Sequence, residues 1–475
     1  MRTPIHKNGA GTSANGAVWL PWMAAAIGLA VTFWAFYPGY MSQDSAAQYL
    51  QARTGTLDTH HPPMMALLWQ LTDRVVPGPG GIFGLFVVLY WAGLALVAAH
   101  AMKRRWVQVL AILGVGWWPP MIGLLAHVWK DVGLLAGFLL ACGLLAWESA
   151  HPSRVLLAEA FVVIALSASF RHNGILAALP FIAYLAVRWL RSTPDAGTTR
   201  SRFIAVAALA ILVTIAIAKL PDYLPSVQRR SMWPTVALWD LAAVSVEERH
   251  ILIPDSLLRP GLTLEEMDSN FSPFTNTSTF STDKIRLSLW ETYDAKQNRD
   301  LLRAWLALPF EHWPAYWHHR WRLTCLLFGS GAKGRPSYLV LQPEYQQLAD
   351  NPPVVPNRSA LNRWVMGNLL YLVRTPLFGG WLYLALAGLV LARCMVRPGG
   401  ANVALAATIA ASGVCYAVPL SVLSGAADFR YLSWLVGASL VAAMLLLGDG
   451  GFSQSTSAPA LRTEPGRGRH HRRRK

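Results

Sequence analysis

The chain alternates between apolar runs of membrane-crossing length and shorter polar connectors. Runs of roughly 17–24 apolar residues, a few of them shorter, recur along the sequence, and a helix needs about that length to cross hydrocarbon. Ten spans are predicted, at 18–37, 82–101, 106–126, 132–147, 155–170, 173–190, 203–219, 376–396, 401–423 and 432–448. The runs are continuous and lack the two-residue alternation of a β-barrel, so the pattern predicts an all-α polytopic membrane protein. No internal sequence repeat is visible.

Two connectors are long. In the first, 38–81, the stretch Pro62 to Val76 is apolar on one side and too short to span, as in a helix lying along an interface. The second, 220–375, holds Pro, Asp, Asn and aromatic residues, is too polar for hydrocarbon, and is long enough for a small folded domain. Within it Asp294 to Trp305 and Trp313 to Leu327 have helical patterning, and Trp313, Tyr316, Trp317 and Trp321 suit an interfacial aromatic belt. Trp117-Trp118-Pro119-Pro120 is expected to kink the third span. The predicted plan is an N-terminal tail 1–17, seven helices over 18–219 with the outer loop 38–81, an outer domain 220–375, three helices over 376–448, and a basic tail 449–475.

Composition agrees with the pattern. The 475 residues are 54% hydrophobic and only 14% charged, where a soluble domain carries nearer a quarter charged residues. The net charge of +16 raises nucleic acid as a partner, but its distribution argues against one. Lys103, Arg104, Arg105, Arg154, Arg188, Arg191, Arg200, Arg202, Arg393 and Arg397 fall in alternate connectors, and no folded basic domain accompanies the tail Arg467 to Lys475. This is the positive-inside signature, and it predicts cytoplasmic N- and C-termini. The four cysteines are scattered, with neither disulfide nor metal spacing.

The opposite connectors hold most of the remaining chemistry. Asp44, Asp58, His60, His61, Lys130, Asp131, Arg171, His172, Asn173, Asp428, Arg430 and Tyr431 all lie at the outer ends of spans, where ionisable groups are costly unless paired or used. A carboxylate such as Asp44 just outside the bilayer can take a proton from an acceptor hydroxyl. The bland alternative is that Asp44 caps a short interfacial helix beginning at Ser45, and that Asp58 caps likewise. His60 and His61 suit orienting an acceptor, binding phosphate or holding a metal, or His-Pro-Pro merely turns the chain. Lys130 suits a lipid phosphate as a point charge, or pairs with Asp131. Arg171-His172-Asn173 places positive charge against the topology bias, and a guanidinium grips phosphate oxygens bidentately. The alternative there is a hydrogen-bonded tight turn. Arg430 is a second phosphate candidate, with Asp428 as its partner. His318-His319-Arg320 and Arg322 form a basic patch, more ordinarily part of an interfacial helix.

Several short strings carry a resemblance. Tyr40-Met41-Ser42-Gln43-Asp44-Ser45 precedes a His60-His61-Pro62-Pro63 element. His127-Val128-Trp129-Lys130-Asp131, Phe170-Arg171-His172-Asn173-Gly174 and Asp428-Phe429-Arg430-Tyr431 follow in order on the same side. Together these pieces resemble bacterial members of the GT-C superfamily of membrane glycosyltransferases over most of the membrane part, and only weakly over 220–375. The commonest signature of that superfamily is a tandem acidic pair in the first loop, whereas this chain has Asp44 alone with Asp58 further on. That leaves metal dependence open, with a divalent metal ion as one cofactor the resemblance admits.

The resemblance implies a GT-C-like fold in the inner (plasma) membrane and transfer of a sugar from a polyprenyl-phosphate donor to an extracytoplasmic glycan, lipid or protein acceptor. Asp44 would be the general base, with Asp58 as a second catalytic carboxylate, and the configuration at the anomeric carbon would invert. His60, His61, Lys130, Asp131, Arg171, His172, Asn173, Arg430 and Tyr431 would hold substrate and phosphate. There are three rivals: a flippase or transporter of a lipid-linked sugar, which would reuse the same cations; a non-catalytic scaffold of envelope assembly, which would tolerate Asp44→Asn; and a polymerase or ligase of surface polysaccharide, which uses similar lipid-linked substrates. Membrane lipids are partners in every case.

Overall fold

The structure is a computed structural model that describes residues 19–192, 199–258, 260–277, 293–329 and 341–448. The two predicted tails, 1–17 and 449–475, lie outside the described residues.

A helix meets every predicted apolar span. The first is α1, Leu20–Phe36. The first connector then forms α2 (Gln43–Thr54), the short strand β1 (Leu57–Asp58) and α3 (Met64–Asp73). The helix α3 buries Met65, Ala66 and Trp69 and exposes Leu71, in keeping with the one-sided pattern of Pro62 to Val76. Next come α4 (Pro79–Ala101), α5 (Arg105–Gly116) and α6 (Pro119–Leu125). The last two replace the single predicted span 106–126 and are bent by 61°. The cause is local. Pro119 begins α6 and cannot donate to the preceding turn, and Trp118 before it is forced out of helical geometry, with ψ at 127°.

The bundle continues with α7 (Lys130–Ala150), α8 (Arg154–Ala168), α9 (Gly174–Arg191) and α10 (Arg200–Lys219). Among the described residues the most extensive helix pairing is α4 with α7, where glycines let two backbones approach. A Cβ on Gly93 would lie 2.5 Å from the Leu139 carbonyl carbon, and one on Gly143 would lie 2.9 Å from the Gly93 oxygen.

The second connector carries β2 (Val227–Gln228), α11 (Trp233–Glu248), α12 (Leu264–Asn270), α13 (Ala295–Glu311), α14 (Trp313–Leu327) and α15 (Ala360–Leu372). β2 pairs in parallel with β1, setting Leu57 against Val227 and Asp58 against Gln228. Leu238, Leu241, Val244, Leu257, Leu301, Leu308 and Tyr316 make a second apolar cluster, separate from the core of the bundle. The chain from 341 onward leaves that cluster. Asn362 on α15 donates to the Ala35 carbonyl at 2.8 Å, and Asn351 donates to the Ala46 carbonyl at 2.8 Å, so this part of the predicted 220–375 domain packs on α1 and α2 instead.

The remaining helices are α16 (Gly380–Val396), α17 (Ala401–Ala417), α18 (Leu420–Leu423) and α19 (Ser433–Gly448). By length and apolarity six helices are candidate membrane spans among the described residues, seven if the bent pair counts as one. α1 and α16 are apolar but shorter. The protein is therefore an all-α protein with multiple candidate membrane spans. At the end of the bundle away from the long connectors, the buried Glu148 accepts from Arg188 at 2.9 and 3.0 Å, so one of the cations read from sequence as a topology charge also ties α7 to α9.

Candidate functional site

The site starts from a turn that only glycine accommodates. Gly39 follows α1 with φ at +95°, and a Cβ there would meet Val128 at 2.7 Å and Phe83 at 2.8 Å. The next residue, Tyr40, pairs with the chain just before α7: its N–H donates to the Ala126 carbonyl and its carbonyl accepts from Val128, both at 2.9 Å. Ser42 then caps α2, exchanging side-chain and backbone bonds with Ser45. Asp44 is thus not the cap that a helix starting at Ser45 would need; the helix starts earlier and Ser42 takes that role. The capping serines are pinned in turn. Ser45 Oγ donates to the Val128 carbonyl at 2.7 Å, and Trp129 Nε1 donates to Ser42 Oγ at 3.0 Å. These contacts hold Asp44, in the first turn of α2, against the start of α7.

Three cations from three separate junctions gather there. Arg430 Nη2 lies 2.8 Å from Asp44 Oδ2, and Arg430 Nε donates to Asp428 Oδ2 at 3.2 Å. Lys130, opening α7, donates to His61 Nδ1, and His61 Nε2 stands 3.7 Å from Asp44 Oδ1. Arg171, in the turn between α8 and α9, donates to Asp131, which is fully buried one residue after Lys130. The Tyr431 ring serves both guanidiniums, 4.4 Å from Arg171 and 5.5 Å from Arg430. Trp129 lies 5.3 Å from Arg430.

The charges are distributed unevenly. Arg430 and Arg171 have side chains only 11% exposed, whereas Asp44 is 31% exposed and is the carboxylate that solvent can reach. Burial pushes the Asp44 carboxyl upward, but Arg430 overrides this and holds it well below the usual carboxylate range. Burial, with Lys130 beside it, keeps His61 neutral. Burial lifts Asp428 to about 6 against the pull of Arg430. Deeper in, burial pushes His127 down to about 4. Its Nδ1 lies 2.8 Å from the Gly123 carbonyl and its Nε2 accepts from Gln342 N at 3.0 Å, a pattern that suits the neutral ring.

The other sequence candidates sit around this set. Asp58 accepts from the His60 N–H at 3.0 Å and lies 4.0 Å from Arg230, while Thr59 joins Arg230 through two bonds of 2.7 and 2.8 Å. No hydrogen bond or ion pair links Asp58 to Asp44 among the described residues, and its observed contacts anchor the β1–β2 crossing. His60 packs edge-on against His61, with ring centroids 4.5 Å apart. His172 is exposed and its ring bonds to the His60 backbone. Asn173 donates to the Tyr416 carbonyl at 3.3 Å, a packing contact between α9 and α17.

The basic patch at His318 to Arg322 does not form as one surface. His319 and Arg320 are buried, and both contact the fully buried Asp240, His319 at 3.2 Å. Trp305 donates to the same carboxylate at 2.7 Å, and Arg320 donates to the Ser424 carbonyl at 2.8 Å. Three helices of the second connector and the 418–432 segment are tied by this group, so its charges are structural. His318 points outward to Glu247 at 3.0 Å.

Trp129 and His127 have no role assigned from residue type alone. They fall within the string His127 to Asp131 that carries the resemblance, but what each does comes from partners far away in the chain. For a divalent metal the donor set is a poor fit. Among the described residues no three His, Cys, Asp or Glu side chains converge on a common point, and the carboxylates here already face Arg or Lys. Compared with known protein families, curated proteins and solved structures, the chain matches none.

Proposed function

We propose that this protein is a multi-pass membrane glycosyltransferase of GT-C type that moves a sugar from a polyprenyl-phosphate donor to an extracytoplasmic acceptor. The observation that carries the reading is that Lys130, Arg171 and Arg430, from three separate helix junctions, meet at the start of α7: Arg430 on the solvent-accessible carboxylate Asp44, Lys130 beside it through His61, and Arg171 on the neighbouring Asp131. Guanidiniums and an ammonium suit a lipid phosphate at the membrane boundary. In the transfer, an acceptor hydroxyl gives its proton to Asp44 while its oxygen bonds the anomeric carbon. The bond from that carbon to the phosphate oxygen breaks, and the polyprenyl phosphate leaves bearing the negative charge. A single displacement inverts the configuration. Lys130, Arg171 and Arg430 would stabilise the leaving phosphate.

Ten spans, both termini in the cytoplasm and an inner-membrane location belong to the same proposal. Counting the bent α5–α6 pair once and adding α1, α8 and α16 to the six long helices supports ten. The outer connector also has a face suited to lipid. On α13 Leu302, Leu306 and Phe310 are exposed beside Arg299 and Arg303, and on α14 Trp313, Trp317 and Trp321 are exposed. Phe328, just beyond α14, accepts through its carbonyl from Trp381 N at the start of α16, which brings the stripe to the mouth of the bundle.

The α5–α6 break is the one feature that favours transport of a lipid-linked sugar, since transporters use discontinuous helices. The test compares cell-envelope glycans by mass spectrometry in cells with the wild-type protein, with a deletion, and with Asp44→Asn at equal membrane level. Loss of the same single sugar mass in the last two is the expected result, because removing a general base lowers the rate roughly 10²–10⁴-fold. A glycan change on deletion that Asp44→Asn does not reproduce would move transport or scaffolding ahead.

A further inference from the structure

A base must be free to accept a proton, yet Asp44 is engaged by Arg430 at 2.8 Å, and the proposed donor phosphate needs that same guanidinium. The surroundings of Arg430 offer a way out. Asp428 grips its Nε edge at 3.2 Å, away from Asp44. The second Asp428 oxygen, Oδ1, is buried with no hydrogen-bond partner among the described residues. Trp129 and Tyr431 provide ring faces at 5.3 and 5.5 Å, over which a planar guanidinium can shift while keeping contact.

We propose that Asp428 is a positioning residue that lets Arg430 change partners, holding the guanidinium by Nε while its Nη edge leaves Asp44 for an incoming phosphate. This rests on the reading of the site as one that binds a polyprenyl-phosphate donor. In the empty site Arg430 keeps Asp44 as a weakly basic anion. Donor entry draws Arg430 onto the phosphate, and the vacant Asp428 oxygen takes a released N–H. The charged groups then facing Asp44 are Lys130 through neutral His61, and beyond it Arg171 paired with Asp131. With Arg430 withdrawn, burial acts on the Asp44 carboxyl against only His61 and Lys130, so the carboxyl moves up, in the direction a base requires. The base thus becomes competent only when the donor is in place.

Two otherwise similar substitutions are expected to act with opposite signs. Purified full-length protein in detergent is titrated with farnesyl phosphate at pH 7.5 by calorimetry. Asp44→Asn removes the competitor for Arg430 and is expected to tighten binding about tenfold. Asp428→Asn removes the anchor and is expected to weaken binding about tenfold, with Asp428→Glu restoring most of it; equal elution on gel filtration shows that the variants are folded. If both Asn variants tighten binding alike, each merely removes a negative charge, and the exchange is wrong while the phosphate site stands. If Asp44→Asn weakens binding, the competition is wrong. If farnesyl phosphate binds neither the wild type nor any variant, the donor-site reading falls and the exchange falls with it.

Discussion

The pair Arg171–Asp131 separates structure from function within the site. Asp131 is fully buried and the Arg171 side chain is 11% exposed. Arg171→Ala leaves the Asp131 carboxylate buried without its cation, and breaking a buried pair from one side typically costs about 3–5 kcal/mol. Replacing both partners with apolar residues of similar volume is often neutral or stabilising, by roughly 1–4 kcal/mol. Arg171→Met with Asp131→Leu is therefore expected to regain most of the stability that Arg171→Ala loses. Function is expected to behave differently. If Arg171 holds the donor phosphate, the double variant remains inactive although folded. The assay pairs thermal unfolding of purified protein, followed by tryptophan fluorescence, with the envelope-glycan mass spectrum of cells carrying each variant at matched level. A double variant that recovers both unfolding temperature and wild-type glycans would refute the phosphate role and leave Arg171 as a purely structural ion.

Two further outcomes are expected. His127 is buried and its ring is held near pKa 4, against 6.5 for an ordinary histidine. Between those values the unfolded chain binds a proton that the native ring refuses, so this stability is complete above pH 6.5 and is lost as the pH falls toward 4. The difference corresponds to about 3 kcal/mol, and His127→Gln should flatten the fall in unfolding temperature over that window; an unchanged slope would show that His127 is not the source. On α13 and α14, spin labels at Leu306, Phe310 and Trp317 in lipid vesicles, with Cys325 and Cys415 replaced by alanine, should be reached by oxygen and shielded from a water-soluble nickel complex, unlike a label at Lys296. Equal access of nickel to all four positions would place this face in water.

The candidate site was only partly legible from sequence. Asp44, Lys130, Arg171 and Arg430 announced themselves because ionisable groups at the ends of apolar runs are expensive. Asp58 carried the same local signal, but its contacts are with His60 and Arg230. His319 and Arg320 looked like a surface patch, because the sequence does not show that Asp240 is buried beside them. In these cases the residue type was visible and the partner was not.

The distinction follows from range. Whether a stretch can cross hydrocarbon depends on its own length and apolarity, so a helix at each apolar run and the break at Pro119 followed from residues adjacent in the chain, whereas α11, α12 and α15 of the second connector did not. The common side of the polar connectors followed from the alternation of basic ones. Which charge neutralises which depends on distances between segments hundreds of residues apart. Only packing decided that Arg430 faces both Asp44 and Asp428, that Trp129 lies against it, and that Asp58 stands aside. An ion pair forms where close-packed helices bring its members together, and no local pattern encodes that meeting.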